Sequence, residues 1–132
     1  MESPLARFAE PIYAAFRIVV GAMFALHGAQ KIFGVLGGFG GTPGATAPFG
    51  TQMWVGGMIE LVCGALVLLG VKARWAAFIA CGEMAVAYFQ FHQPKGALPI
   101  QNGGEPAVLY CFAFLLIAAR GAGAWTIAGR RG

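Results

Sequence analysis

Four apolar segments follow one another along the chain, separated by short stretches that are polar or rich in glycine and proline. The apolar positions within each segment are nearly continuous, whereas a helix of a water-soluble bundle carries polar residues along one face. A helix of about 20 residues crosses the roughly 30 Å hydrocarbon layer of a bilayer. The pattern therefore predicts an all-α protein, a single membrane domain over residues 1–132, built as a bundle of four transmembrane helices with spans at about 12–36, 53–71, 74–92 and 104–121.

Two longer connections separate these spans. Residues 37–52 are rich in glycine, proline and threonine and carry no charge. They do not form a phosphate-binding loop, because no Gly-Lys-Ser/Thr sequence ends the segment and no strand precedes it. A connection of this length often packs over a site or moves, so a lid is one interpretation. Residues 93–105 form a second polar loop that leads into the last span.

Composition agrees with a membrane protein. Hydrophobic residues make up 58% of the 132 residues and charged residues only 11%, against about a quarter charged in soluble domains. The net charge of +4 comes from scattered lysines and arginines, which favours membrane topology over nucleic-acid binding. Cys63, Cys81 and Cys111 lie in apolar runs without a Cys-x-x-Cys pair. The sequence therefore predicts apolar packing for them, and neither a disulfide framework nor thiol–disulfide exchange.

The distribution of basic residues predicts the orientation of the spans. In a four-span chain, the N-terminus, the loop between spans two and three, and the C-terminus share one side of the membrane. The basic residues in these segments are Arg7, Lys72, Arg74, Arg120, Arg130 and Arg131. Lys95 is the only basic residue in the two opposite loops, so the positive-inside rule predicts that both termini are cytoplasmic. Arg17, near the cytoplasmic end of the first span, is expected to extend its charge to the inner boundary.

Ionisable side chains interrupt the first three apolar spans. A charged residue near the centre of a bilayer helix costs about 2.5–3.5 kcal/mol on insertion scales, so it usually faces protein, water or an opposite charge. Gly56, Glu60 and Gly64 recur every four residues and share a helix face that a neighbouring helix can approach closely. Under the predicted orientation, the residues of the outer half of the bilayer that form a polar cluster are His27, Lys31, Glu60 and Glu83.

The polar cluster has two interpretations that the sequence leaves open. Lys31 facing Glu60 or Glu83 is either an ion pair that only fixes the packing of the helices, or part of a functional site. Further candidates lie near the same outer level and serve as secondary site residues, namely Gln30, Tyr88, His92, Asn102 and Glu105. The cluster and these neighbours together define the region in which a site is predicted.

No metal site is predicted, and haem is not expected. His27 and His92 come from the first and third spans and in principle reach one haem iron, but no other haem signal accompanies them. His27 is instead expected to bond a neighbouring helix, and His92 to be solvated at the membrane interface.

Several short motifs occur in a fixed order along the chain. They are Arg17…Gly21…His27-Gly28-x-x-Lys31, Glu60 with Gly64 and Leu-Leu-Gly at 68–70, Glu83-Met84-x-x-Ala87, and Asn102-Gly103-Gly104-Glu105 before the last span. Together with the Gly- and Pro-rich loop, they make residues 12–123 resemble the DoxX family of small four-helix bacterial membrane proteins. The resemblance implies a multi-pass protein of the bacterial cytoplasmic (inner) membrane. It also implies a set of family-motif residues, namely His27, Lys31, Glu60, Glu83, Asn102 and Glu105.

The end of the chain departs from the family pattern. Family members often end the last helix with Gly-x-Gly-x-x-Ser-x-Asp, whereas residues 121–128 here lack the acid. Any role of that acid is therefore absent or altered in this chain. The departure lies away from the polar cluster.

The resemblance also implies a redox function. Founding members of the family are associated with terminal quinol oxidase or thiosulfate:quinone oxidoreductase systems, whereas many relatives have no established reaction. The predicted function is an integral membrane subunit of a quinone-linked redox system, accessory to an oxidoreductase if it takes part in catalysis. In this hypothesis the polar cluster binds a quinone or passes protons. The sequence contains no flavin, iron–sulfur or metal motif, so electrons come from a partner protein or from the quinone itself.

Two other functions remain open. One is a non-catalytic membrane scaffold or assembly subunit, in which the buried charges hold the helices together. The other is a small-solute or proton transporter, although one four-helix chain without an internal repeat would have to oligomerise. The predicted partners are the lipid bilayer and either a redox protein or a second copy of the chain, and not nucleic acid.

Overall fold

The computed structural model describes residues 3–127, and within this range every regular element is helical. The prediction of an all-α protein is confirmed. The α-helices are α1 (Ala9–Phe33), α2 (Gln52–Leu69), α3 (Ala73–Ala87), α4 (Pro99–Asn102) and α5 (Glu105–Arg120). Short 3-10 turns occur at Ala6–Phe8, Phe39–Gly41 and Gln93–Lys95, and a π-helical turn at Tyr88–His92 continues α3. The topology charges Arg130 and Arg131, and position 128 of the terminal motif, lie outside the described residues.

Helix α1 lies three residues earlier than the predicted first span at both ends. Pro11 stands in its first turn, where a missing backbone N–H costs nothing. At the other end Gly34 adopts a left-handed conformation (φ 68°) and donates its N–H to the Gln30 carbonyl. Glycine carries no steric penalty in this conformation, so the helix stops at Phe33 and residues 34–36 belong to the loop.

Two helical segments are long and apolar enough to cross a bilayer by length and composition alone, Ala6–Phe33 and Gln52–Leu69. Helix α3 with its π-helical continuation covers residues 73–92, and α5 has 16 residues. Large apolar side chains on α1, α3 and α5 face outward, including Val19, Trp75 (72% exposed), Phe78 and Phe112. An outer surface of this kind is typical of helices that contact lipid.

Helices α1 and α2 approach each other through glycines. The seam runs past Gly21 and Gly28 on α1 and past Gly57 and Gly64 on α2. A Cβ atom on Gly64 would lie 2.5 Å from the backbone nitrogen of Ala25 and 2.8 Å from the Gly21 carbonyl oxygen. The two backbones are therefore in direct contact, as is common where small residues line the seam between membrane helices.

Helices α3 and α5 form a second close pair, and Phe24 joins it to the first. Small side chains of α3 are buried along this seam, namely Ala73, Ala76, Ala77 and Ala80. Phe114 and Ile117 of α5 are fully buried. The ring of Phe24 on α1 packs edge-on to Phe114, with 4.6 Å between ring centroids. The core thus lies between two tight helix pairs, with α2 also packing on α3.

The expectation that Arg17 extends to the inner boundary is wrong. Its side chain is fully buried, and the guanidinium donates hydrogen bonds to backbone carbonyl oxygens. The acceptors are Ala122, Ala124 (2.8 Å), Trp125 (2.7 Å) and, more weakly, Leu68 (3.5 Å). Gly121 (φ 88°) ends α5 and lets the chain turn back over the beginning of α1. The carboxyl ends of α2 and α5 meet here, and their partial negative charge favours a cation.

Two further side chains hold the same C-terminal segment. The Tyr13 hydroxyl donates to the Gly121 carbonyl at 2.5 Å, and Arg74 donates to the Ala119 carbonyl at 2.7 Å. These bonds give partners to carbonyl groups that the end of a helix leaves free. We call this end of the helix assembly, where α1 begins, the terminal end, and the opposite end, where α1 meets the 34–51 loop, the loop end.

Candidate functional site

A cavity of about 510 Å³ lies between α1, α2, α3 and α5 toward the loop end. Its walls are mainly apolar, with a few polar side chains from all four helices. The structure brings the whole predicted polar cluster to these walls, since the lining includes His27, Lys31, Glu60 and Glu83. This volume and this mixture of an apolar wall with a few polar groups are usual for small-molecule sites.

Lys31 and Glu60 form an ion pair on the cavity wall. The Lys31 Nζ atom lies 2.7 Å from Glu60 Oε2 and 3.0 Å from Oε1, so it bonds both carboxylate oxygens. The Glu60 carboxyl group is almost fully buried, with 4% of its side chain exposed, against 22% for Lys31. The pair forms because Gly57 lets α2 come against the Cβ of Lys31. Lys31 therefore pairs with Glu60 and neutralises it. The sequence had left open whether Lys31 faces Glu60 or Glu83.

Glu83 reaches the same cavity from α3 and lies against Gly56 of α2. A Cβ atom on Gly56 would be 3.1 Å from Glu83 Oε1, so a larger residue there would require the carboxyl group to shift by a few tenths of an ångström. Glu83 Oε2 is buried, and no residue among those described bonds it. A buried polar atom without a partner is costly, and in native structures it usually marks a proton, a water or a ligand.

Tyr110 is a cavity residue that the sequence reasoning missed. Its hydroxyl group is buried without a hydrogen-bond partner among residues 3–127. Its ring packs against Phe24 (5.4 Å between centroids) and Phe114 (5.9 Å). The available signal was a single hydroxyl in the otherwise apolar run 106–119, at helical spacing from the buried Phe114.

His27 lies on the α1 wall between Lys31 and the core. Its ring is edge-on to Tyr110, with 6.2 Å between centroids, and the residue is exposed. No hydrogen bond joins it to a neighbouring helix among the described residues, so the expected bond is not found there. The exposed imidazole therefore lies at the boundary between the cavity and the outer surface of α1.

Three of the secondary candidates form a network beside the cavity. The Asn102 amide nitrogen donates to Tyr88 Oη (3.2 Å) and to the Gly96 carbonyl (3.1 Å), and its oxygen accepts from the Gly104 N–H (2.8 Å). His92 Nδ1 lies 3.3 Å from the Asn102 carbonyl oxygen. Asn102 is buried, and these bonds fold the 93–105 loop onto the π-helical turn. Of the three, only His92 lines the cavity.

The other two secondary candidates lie elsewhere. The Gln30 amide donates to the Leu36 carbonyl at 2.8 Å and faces the start of the loop. Glu105 is exposed at the start of α5 and is not among the residues that line the cavity. At the rim, Gln52 of α2 bonds Gln90 of the π-helical turn.

The 34–51 loop packs on the end of α1. The Ala47 N–H donates to the Lys31 carbonyl at 2.7 Å, and Phe49 packs on Trp54 with 4.7 Å between centroids. Ala47 itself is buried. None of the cavity-lining residues comes from this loop, so the structure places it over the helix end and not over the cavity in the manner of a lid.

Comparison with known proteins supports the resemblance seen in the motifs. The DoxX family model matches residues 12–93. An uncharacterized protein of Haemophilus influenzae is 46% identical over 118 residues, which cover 86% of this chain and 87% of that protein. No solved structure matches the chain significantly. The matched region contains all four residues of the polar cluster.

Proposed function

Because the chain belongs to the DoxX family of membrane proteins, we propose that it crosses the bacterial inner membrane four times with both termini in the cytoplasm. The charges of the described helix ends support this topology. Arg7, Lys72, Arg74 and Arg120 lie at the terminal end, and Lys95 alone lies in the two loops of the opposite end. The positive-inside rule then assigns the terminal end to the cytoplasm and the cavity to the outer half of the bilayer.

We further propose that the cavity binds the head group of a membrane quinone as part of a quinone-linked redox system. The observation that carries this proposal is the presence of two buried polar atoms without described partners, Glu83 Oε2 and Tyr110 Oη, on residues lining one apolar cavity. A quinone ring has two carbonyl oxygens and is otherwise apolar, so its site needs a few polar partners in a mainly apolar wall. The lining of the cavity has both.

The residues have distinct proposed roles. Bound quinone supplies two-electron, two-proton carrier chemistry. The Tyr110 hydroxyl donates a hydrogen bond, and the Glu83 carboxyl group holds a proton next to the ring site. His27, exposed on the wall, passes protons between Glu83 and the outside. The Lys31–Glu60 ion pair adds a polar surface without net charge to the wall beside the ring site. Electrons enter from a redox partner protein.

Quinone affinity in Glu83→Leu and Tyr110→Phe tests the site. Each change removes one proposed hydrogen-bond donor and leaves a side chain of similar size, so we expect the Kd to rise about 3- to 10-fold, as for one lost hydrogen bond. Binding is measured by titrating a short-chain benzoquinone into the protein in lipid nanodiscs, with empty nanodiscs subtracted.

Glu105→Leu is the matched control, because it removes an exposed carboxyl group at the same end of the molecule. It should leave the Kd unchanged. Equal affinities for the wild type, Glu83→Leu and Tyr110→Phe would contradict the proposal, as would binding that is no stronger than partition into empty nanodiscs.

A second candidate function is a membrane scaffold, and the Lys31–Glu60 pair favours it. Each charge of this pair is neutralised by the other, so the bilayer can tolerate both without any ligand. A scaffold needs only that α1 and α2 stay together and present their outer faces to a partner. Buried ion pairs serve such a specificity role in some proteins.

Lys31→Met, alone and combined with Glu60→Met, separates the two functions. The single change leaves the buried Glu60 carboxylate without its partner and should cost about 3 kcal/mol of stability, whereas the double change should recover most of it. Thermal unfolding in detergent measures this, with Lys95→Met as the exposed control. If the double variant is stably folded but no longer binds quinone, the result supports the redox site. If the double variant binds quinone normally but loses a co-purifying partner, the result supports the scaffold.

A further inference from the structure

Cys81 and Cys111 meet across the seam between α3 and α5. Their Sγ atoms lie 3.5 Å apart, and both side chains are half-buried. Cys63, on α2, is buried, with its thiol free. The sequence predicted apolar packing for all three, because they lie in apolar runs without a Cys-x-x-Cys pair, and all three do pack in or against the apolar core. The tertiary structure also brings two of the thiols into contact.

The seam around these thiols is suited to a cross-link. Alanines such as Ala77 and Ala80 let α3 lie close to α5. A disulfide has an S–S length of about 2.05 Å, so the two sulfur atoms, 3.5 Å apart, need to approach by about 1.5 Å for the bond to form. The half-exposed position also leaves the thiols open to an oxidant that dissolves in the bilayer.

We propose that Cys81 and Cys111 form a reversible dithiol–disulfide site that a membrane quinone oxidises. The two S–H bonds break, one S–S bond forms, and the two electrons and two protons reduce the quinone to the quinol. Their sequence neighbours Gly82, Glu83 and Tyr110 line the cavity, whereas the two cysteines themselves do not. The choice of oxidant rests on the proposed function, whereas the pairing rests on the contact between the thiols.

Thiol counting tests the pair directly. The purified protein is reduced, freed of reductant and incubated in nanodiscs with a fully substituted short-chain benzoquinone, which cannot add to thiols through its ring. We expect maleimide labelling of the unfolded chain to fall from three thiols to one, with loss of two hydrogen masses and formation of one quinol per chain. Treatment with a phosphine reductant should restore all three thiols.

Serine and alanine variants assign the bond. Cys63→Ala should fall from two labelled thiols to none, whereas Cys81→Ser and Cys111→Ser should each keep both remaining thiols. An unchanged thiol count in the wild type, a covalent dimer on a non-reducing gel, or loss of thiols in Cys81→Ser would each overturn the proposal.

The test is separable from that of the cavity. If quinone binding depends on Glu83 but the thiols stay reduced, the cavity function stands and the dithiol site is overturned. If the thiols are oxidised but Glu83→Leu binds quinone normally, the dithiol site stands and the oxidant reaches it from the bilayer.

Discussion

Arg17→Met is expected to lower the free energy of unfolding by about 3–5 kcal/mol, the usual cost of removing one partner from a buried charged network. The guanidinium contacts four carbonyl groups, from Leu68, Ala122, Ala124 and Trp125. Methionine fills much of the same volume but donates nothing, so these carbonyl groups lose their partner. The 121–127 segment should then pack more loosely on α1, because the Tyr13–Gly121 hydrogen bond remains while those of Arg17 are lost.

The measurement is thermal unfolding in mild detergent together with size-exclusion chromatography. Arg120→Met is the matched control, because the Arg120 guanidinium is exposed and its ion pair, at 3.4 Å from the Glu10 carboxylate, lies on the surface. Such a surface pair contributes about 0–1 kcal/mol. The stability of Arg17→Lys should lie between those of the two methionine variants. An ammonium group donates hydrogen bonds but cannot reach several carbonyl groups at once, as the planar guanidinium group does. Equal stability of Arg17→Met and Arg120→Met would refute the role assigned to Arg17.

Gly64→Ala is expected to destabilise the protein by about 3 kcal/mol, at the upper end of overpacking costs. The added methyl group would meet the backbone of Ala25 and Gly21, which cannot rotate away as a side chain can. The helices α1 and α2 must then separate along the seam. Since the same seam holds Lys31 against Glu60, the change should also loosen the ion pair.

Gly82→Ala provides the comparison for Gly64→Ala. Gly82 is also a glycine within a helix, but a Cβ atom added there meets nothing within 4 Å. Alanine is the better helix former by roughly 0.5–1 kcal/mol, so this variant should be as stable as the wild type or more so. Unfolding followed by circular dichroism in detergent compares them, and a Gly64→Ala protein as stable as Gly82→Ala would contradict the close seam.

The two tight seams explain where the cavity lies. Glycines hold α1 against α2, and alanines hold α3 against α5. The two pairs meet through Phe24 and Phe114. On the loop-end side of this contact the pairs leave a gap, whose lining includes Glu60, Glu83 and Tyr110. The cavity is thus a consequence of close packing elsewhere in the fold.

Much of the candidate site could be predicted from the sequence. The cost of placing charges in an apolar helix singled out Lys31, Glu60 and Glu83, and helical spacing put Glu60 on the glycine face that meets α1. Helical spacing could not decide which of the two acids pairs with Lys31, because that depends on the rotation of α3 about its axis. In the structure Glu83 packs beside Gly56 of α2, and Lys31 pairs with Glu60.

The sequence by itself determined the all-α class, the family and the set of ionisable residues within the apolar helices, because hydropathy, short motifs and insertion cost are local properties of the chain. Only the tertiary structure decided the partners: Lys31 with Glu60, Arg17 with the carbonyl groups after α5, Cys81 with Cys111, and Tyr110 at the cavity. Each of these contacts joins residues at least 29 positions apart. Such contacts depend on how helices pack against one another, which the periodicity of a single helix does not encode.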